Sequence, residues 1–92
     1  MIKSFKHRGL EKFYNTDSKA GIIPGHANKL RLQLTALDLA TVPGDLARPG
    51  WDLHPFKGRF EGHWSISVNG NWRVTFKFIG LDVEVVHYQD YH

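Results

Sequence analysis

Apolar residues recur at spacings of three and four in the first half of the chain and alternate with polar ones in the second, which predicts helices ahead of a sheet. Ile2 to Phe5 reads as a short first strand. From Gly9 to Asn15, Leu10, Phe13 and Tyr14 fall on one helical face, and Asn15, Thr16 and Asp17 lead out into a loop. From Pro24 the strongest helical pattern begins, with Ala27, Leu30, Leu34 and Leu37 on one side and Lys29, Arg31, Gln33 and Asp38 elsewhere on the wheel. It should end before Val42, because Pro43 disfavours helical backbone in the residue before it and Gly44 supports a turn.

Strand signals occupy Trp51 to Leu53, His63 to Val68, Trp72 to Ile79 and Asp82 to Tyr88. Trp64, Ile66 and Val68 alternate with His63, Ser65 and Ser67, while Trp72, Val74, Phe76 and Phe78 alternate with Arg73, Thr75 and Lys77. Residues opposite one another share a face, so a three-residue loop of Asn69, Gly70 and Asn71, pairing Val68 with Trp72, keeps the two apolar rows together. A two-residue Gly80-Leu81 turn then pairs Phe78 with Val83, Lys77 with Glu84, Phe76 with Val85 and Arg73 with Tyr88. That register puts Ser67, Arg73, Tyr88, Asp90 and His92 on the face opposite the core and His87 on the packed face. Strict alternation turns Tyr91 away from that face unless the last residues leave the strand. The expected fold is α+β: two N-terminal helices packed on one face of a mostly antiparallel, twisted sheet whose other face is polar and open to a ligand.

Composition narrows the function classes. The 92 residues, 41% hydrophobic and 13% aromatic, suffice for one compact core, so a single domain spanning residues 1–92 is expected. No apolar run approaches the roughly 20 residues needed to cross a bilayer, and no hydrophobic signal region follows Met1, so no membrane partner and a cytoplasmic location are expected. The absence of cysteine excludes a disulfide framework, a thiolate zinc site and a cysteine nucleophile. A net charge of +3 and a pI near 9.4 favour an anionic partner such as nucleic acid.

Three segments carry candidate chemistry. In His54-Pro55-Phe56-Lys57-Gly58, the proline and glycine fix a bend that presents His54 and Lys57. Arg73 is suited to donate two hydrogen bonds to a phosphate, and a lysine or histidine to move protons in phosphodiester cleavage. The chain ends on Tyr88-Gln89-Asp90-Tyr91-His92, where Tyr91 is suited to stack on a base, Asp90 to orient a cation and His92 to act as acid or base. Singly, a loop lysine is usually a solvated charge and a strand arginine a surface ion pair; their convergence is what raises the functional reading. The histidines have no metal-site spacing, so no metal or other cofactor is expected.

Taken together these segments resemble HigB-type toxins of the RelE superfamily. The resemblance rests on Met1-Ile2-Lys3-Ser4-Phe5-Lys6-His7, Leu53-His54-Pro55-Phe56-Lys57-Gly58, Glu61-Gly62-His63-Trp64-Ser65-Ile66, Asn71-Trp72-Arg73-Val74-Thr75-Phe76 and the final Asp90-Tyr91-His92. The sequence departs from the family pattern mainly in residues 8–50 and at His63, where an aromatic is common. The resemblance implies a toxin of a type II toxin-antitoxin system that cuts mRNA in the ribosomal A site, by metal-independent attack of a 2′-hydroxyl on the adjacent phosphate. It implies Lys57, Arg73, Asp90, Tyr91 and His92 as catalytic residues, with Arg73 on the phosphate, Lys57 and His92 in proton transfer or charge stabilisation, and Tyr91 stacking on or orienting a base. RNA contacts are expected from His54, His63, Lys77 and Tyr88. The implied partners are a helix-turn-helix antitoxin of the HigA type, the ribosome with its mRNA, and operator DNA through the antitoxin. Two other readings share the scaffold: a ParE-like inhibitor of DNA gyrase, and a non-catalytic RNA-binding module.

Overall fold

A computed structural model describes residues 1–56, 58–60 and 62–91. Two helices, α1 (Arg8–Thr16) and α2 (Ala27–Leu39), precede four strands, β1 (His54–Pro55), β2 (His63–Asn69), β3 (Trp72–Ile79) and β4 (Asp82–Asp90). The strands form one antiparallel sheet in the order β1-β2-β3-β4. The α+β expectation is therefore met.

Local chemistry sets the helix ends. At the start of α1 the His7 Nδ1 accepts a hydrogen bond from the Leu10 amide at 2.9 Å, satisfying one of the donors that a helix N-terminus leaves over. Asp17, in the left-handed conformation at φ 62°, closes its far end by donating from its amide to the Phe13 carbonyl. A short 3-10 turn, Pro24–His26, feeds α2, with proline suited to a position whose amide needs no partner. Beyond α2 the Asp45 carboxylate accepts from the Thr41 and Val42 amides and stabilises the turn that replaces the helix. The Tyr14 hydroxyl donates to Asp38 at 2.6 Å and links the two helices.

Leu10 and Phe13 from α1, Leu30, Leu34 and Leu37 from α2, and Ile66, Val68, Val74, Phe76, Val83, Val86 and Tyr88 from the sheet belong to one buried cluster. The buried Gln33 side chain crosses from α2 to donate to the Ser67 carbonyl at 2.7 Å.

Two expected strands take another form. Ile2 and Phe5 make isolated parallel bridges to Val83 and Val86 of β4 instead of a continuous strand. Val83 exchanges hydrogen bonds with Met1 and Lys3, and Val86 with Ser4 and Lys6. Between these pairs the backbone of Val85 is turned to φ 50°, and its amide is taken by the Ser4 hydroxyl, so the ladder is interrupted. Trp51 to Leu53 is not a strand because Asp52 sits at φ 50°, outside extended backbone; the pairing instead begins at His54.

The register holds one expectation and overturns another. Between β2 and β3, Ser67 pairs with Arg73, Ile66 with Val74 and Trp64 with Phe76, as parity requires. The turn itself is tighter: Asn69 pairs with Trp72, and a bulge at Val68 restores the phase. Between β3 and β4 the expected pairs Phe78 with Val83 and Lys77 with Glu84 form. Past Val85, however, an extra residue is accommodated in β4, so Thr75 pairs with His87, Val74 with Tyr88, Arg73 with Gln89 and Trp72 with Asp90. Inserting one residue exchanges the faces of everything beyond it.

Candidate functional site: an arginine on the open face of the sheet

Through this bulge, Val83, Val86 and Tyr88 point into the core, whereas His87, Gln89 and Tyr91 join His63 and Thr75 on the other face. There, with Lys6, Phe56 and Val85, they line a concavity of about 220 Å³. Tyr91 thus reaches the open face although strict alternation would have turned it away. Its amide donates to the Asn71 carbonyl at 2.7 Å, which fixes the chain end against the β2-β3 turn. Its ring meets Phe56 edge to face at 6.1 Å.

Arg73 projects from β3 between Ser67 and Gln89. Its Nε donates to the Ser65 hydroxyl at 2.9 Å, and one terminal nitrogen donates to the Asp52 carbonyl at 2.6 Å. The other terminal nitrogen lies 3.4 Å from the Asp52 carboxylate. The guanidinium is held from two directions and keeps further donors for an incoming anion. Its charge reaches Tyr91: burial pushes the phenol pKa up, and the Arg73 cation opposes that rise. His54, on β1, is exposed, with its Nδ1 2.9 Å from the same Asp52 carbonyl. Lys77 pairs with His63 on one side and Glu84 on the other. Arg73, His54 and Tyr91 are thus brought to one end of the open face, beside the concavity that His63 lines.

Three placements correct the sequence reading, all through the bulge. Tyr88, expected on the open face as an RNA contact, is only 3% exposed and lies in the core. Its hydroxyl is 2.5 Å from His26 Nδ1, and its ring lies on Trp72 at 4.6 Å. Asp90, expected beside Arg73, pairs with Trp72 on the phase of Tyr88. His87, expected on the packed face, lines the concavity; its Nδ1 is buried with no hydrogen-bond partner among the described residues. Burial, then the nearby His7 and Lys6, lower its pKa. Lys57 and His92, the other expected catalytic residues, lie outside the described residues.

Sequence reasoning missed Asp52 and Ser65 as holders of Arg73, and His87 and Gln89 as residues of the open face. For the last two a signal exists: adjacent Val85 and Val86 break the alternation begun at Val83. For Asp52 the only signal is that aspartate tolerates left-handed backbone better than most residues. Among the described residues no group of three or more histidine or acidic side chains could hold a metal ion, and no helix is long and apolar enough to cross a membrane.

An α+β chain whose four-stranded antiparallel sheet carries Arg73, His54 and Tyr91 fits the class suggested by its motifs. The family model for the RelE-like toxin HigB of type II toxin-antitoxin systems matches residues 3–92, and the chain belongs to this HigB-like toxin family. It is 45% identical to the Endoribonuclease HigB of Proteus vulgaris over 92 residues, covering the whole of both chains. It is 35% identical to Toxin HigB-1 of Vibrio cholerae serotype O1 over 81 residues, 86% of this chain and 85% of that one. In fold it is similar to the crystal structure of YafQ from E. coli strain BL21(DE3), with a TM-score of 0.66 at 15% identity, over 98% of this chain and 91% of that one.

Proposed function

We propose that this protein is the toxin of a type II toxin-antitoxin pair and an endoribonuclease that cleaves mRNA in the ribosomal A site without a metal. The observation that carries this reading is Arg73, held on an open sheet face by Ser65 and Asp52. The full-length likeness to a protein named as an endoribonuclease supports the same chemistry.

In the reaction a ribose 2′-hydroxyl loses its proton to a base and attacks the adjacent phosphorus. The bond to the 5′-oxygen breaks, and an acid protonates that oxygen. Arg73 stabilises the charge that grows on the non-bridging oxygens, where a donor already in place costs no reorganisation. Lys57 and His92 take the proton transfers or support the charge. Tyr91 and Phe56 offer aromatic surface for a base, and His54, His63 and Lys77 line the path of the RNA. Metal-independent chemistry rests on protein groups alone, which this set can supply.

The two helices cover one face of a twisted sheet, in one domain, and leave the other face to the mRNA. A helix-turn-helix antitoxin of the HigA type neutralises the toxin and connects it to operator DNA, and the ribosome supplies the substrate in the cytoplasm. The test adds purified protein to ribosomes programmed with a defined mRNA and maps new 5′ ends by primer extension, with and without EDTA. Cuts at defined positions, dependent on ribosomes and indifferent to EDTA, are expected. Intact mRNA together with cleavage or relaxation of plasmid DNA in the presence of gyrase would replace this reading with the ParE-like one. Binding of RNA with no cleavage under any condition would leave only a binding module.

A further inference from the structure

Asp52 stands out in the loop before β1 because it is one of three non-glycine residues with positive φ among the described residues, at 50°. Left-handed backbone costs a non-glycine residue roughly 1–2 kcal/mol, so its persistence points to a use for the conformation. The loop around it is fixed: Trp51 is buried, and its carbonyl accepts from the Ser67 amide at 2.6 Å. Held this way, the Asp52 carbonyl receives an Arg73 terminal N–H at 2.6 Å and lies 2.9 Å from His54 Nδ1.

A carbonyl oxygen only accepts, so the His54 contact requires a proton on Nδ1 and leaves Nε2 as the basic nitrogen of the neutral ring. The carboxylate adds weaker contacts, 3.4 Å from both Arg73 and His54. One residue thereby touches two members of the candidate site. Ser65 completes the cradle from β2.

We propose that Asp52 is a positioning residue: its left-handed backbone aims one carbonyl oxygen at Arg73 and His54, fixing the guanidinium and selecting the imidazole tautomer that the cleavage site needs. Aspartate suits the position because it tolerates this conformation and adds charge to the cradle. The inference rests on the endoribonuclease reading, since that reading gives Arg73 a scissile phosphate and the imidazole a proton to move.

The test compares Asp52→Val, Asp52→Ala and Asp52→Gly in the full-length protein, alone and combined with Arg73→Ala. Glycine adopts positive φ without strain and keeps the carbonyl aimed; valine resists it most and displaces the carbonyl. Single-turnover cleavage on saturating programmed ribosomes should fall roughly 10- to 100-fold in Asp52→Val, less in Asp52→Ala and only about threefold in Asp52→Gly. The half-saturating ribosome concentration should stay put. In the Arg73→Ala background the valine substitution should cost clearly less than it does alone, because only its hold on His54 remains to be lost.

The nitrogen-proton resonance of the Arg73 Nε–H group, read by NMR on the free protein, should move most in Asp52→Val. If Asp52→Val fails to fold, Asp52→Ala against Asp52→Gly carries the same comparison. Equal losses in the glycine and valine variants, effects that multiply with Arg73→Ala, or an unmoved Arg73 resonance would overturn the proposal. If the wild type itself cuts no RNA, the endoribonuclease reading fails, and the Arg73 resonance still decides whether Asp52 positions the guanidinium.

Discussion

Replacing Tyr88 by phenylalanine separates a core residue from a site residue, and its cost can be worked from the structure. The Tyr88 hydroxyl and His26 Nδ1 are 2.5 Å apart between residues only 3% and 6% exposed. The substitution keeps the ring against Trp72 and the edge-to-face contact with His26, so packing changes little. What is lost is the hydroxyl with its hydrogen bonds to His26 and to the Ile23 backbone, and the imidazole nitrogen left behind is buried beside a hydrocarbon edge. Such an orphaned group costs about 1–3 kcal/mol. At roughly 4–8 °C per kcal/mol for a domain of this size, Tm should fall by roughly 5–20 °C. Thermal and urea unfolding followed by circular dichroism measure this directly. Cleavage per folded molecule, assayed well below the lowered Tm, should match the wild type, because Tyr88 faces away from the site. An unchanged Tm combined with a tenfold or larger loss of cleavage would refute the reasoning, returning Tyr88 to the RNA face and removing the shift at Val85.

The other expected outcomes concern stability. Burial lowers the pKa of His7 and His26, and burial followed by the His7 and Lys6 charges lowers that of His87. Each ring binds its proton more weakly in the folded chain than in the unfolded one, where it titrates near pH 6.5. Their contribution is therefore fully present above about pH 6.5 and is lost as the pH falls from there through the lowered folded values. Urea midpoints should decline from pH 7.5 towards pH 5.5, less steeply in His87→Gln; a flat or rising profile would contradict the burial argument. At Gly9 an added Cβ would collide with the Gly21 carbonyl, and at Gly21 one would fall 2.5 Å from the Gly9 Cα. Alanine at either position should cost about 1–3 kcal/mol by overpacking two backbones, measured by urea unfolding. Gly25→Ala, where nothing lies within 4 Å, should cost far less. Equal effects at all three sites would show that the close crossing does not form.

Much of the fold was legible because its determinants are local or periodic. The α1 pattern placed Gly9 to Asn15 within one residue of the helix that forms, and Pro43 marked the end of α2. The β2-β3 register followed from parity even though the turn was misjudged, because the Val68 bulge brings the apolar rows back into phase. At Val85 the same argument failed. Period-two reasoning has no memory of an inserted residue, and the exposed Val85 between the fully buried Val83 and Val86 becomes visible only once the strand is paired. That error moved Tyr88, Asp90 and His87 together.

The site was legible in part. Arg73 and His54 could be singled out by residue type, and Tyr91 by its motif. Asp52 and Ser65 act through Arg73 from other segments, a relation set by tertiary contact and absent from any local spacing.

The account turns on Arg73 as the group that meets the scissile phosphate. Its most direct test is single-turnover cleavage of a defined mRNA on programmed ribosomes by the wild type and by Arg73→Ala, with the folded state of both verified by circular dichroism. The account predicts position-specific cuts by the wild type and a roughly 100- to 1,000-fold slower rate for Arg73→Ala, the scale of losing a preorganised donor to a transition-state oxyanion. A folded Arg73→Ala protein that cuts the same positions at the wild-type rate would contradict it.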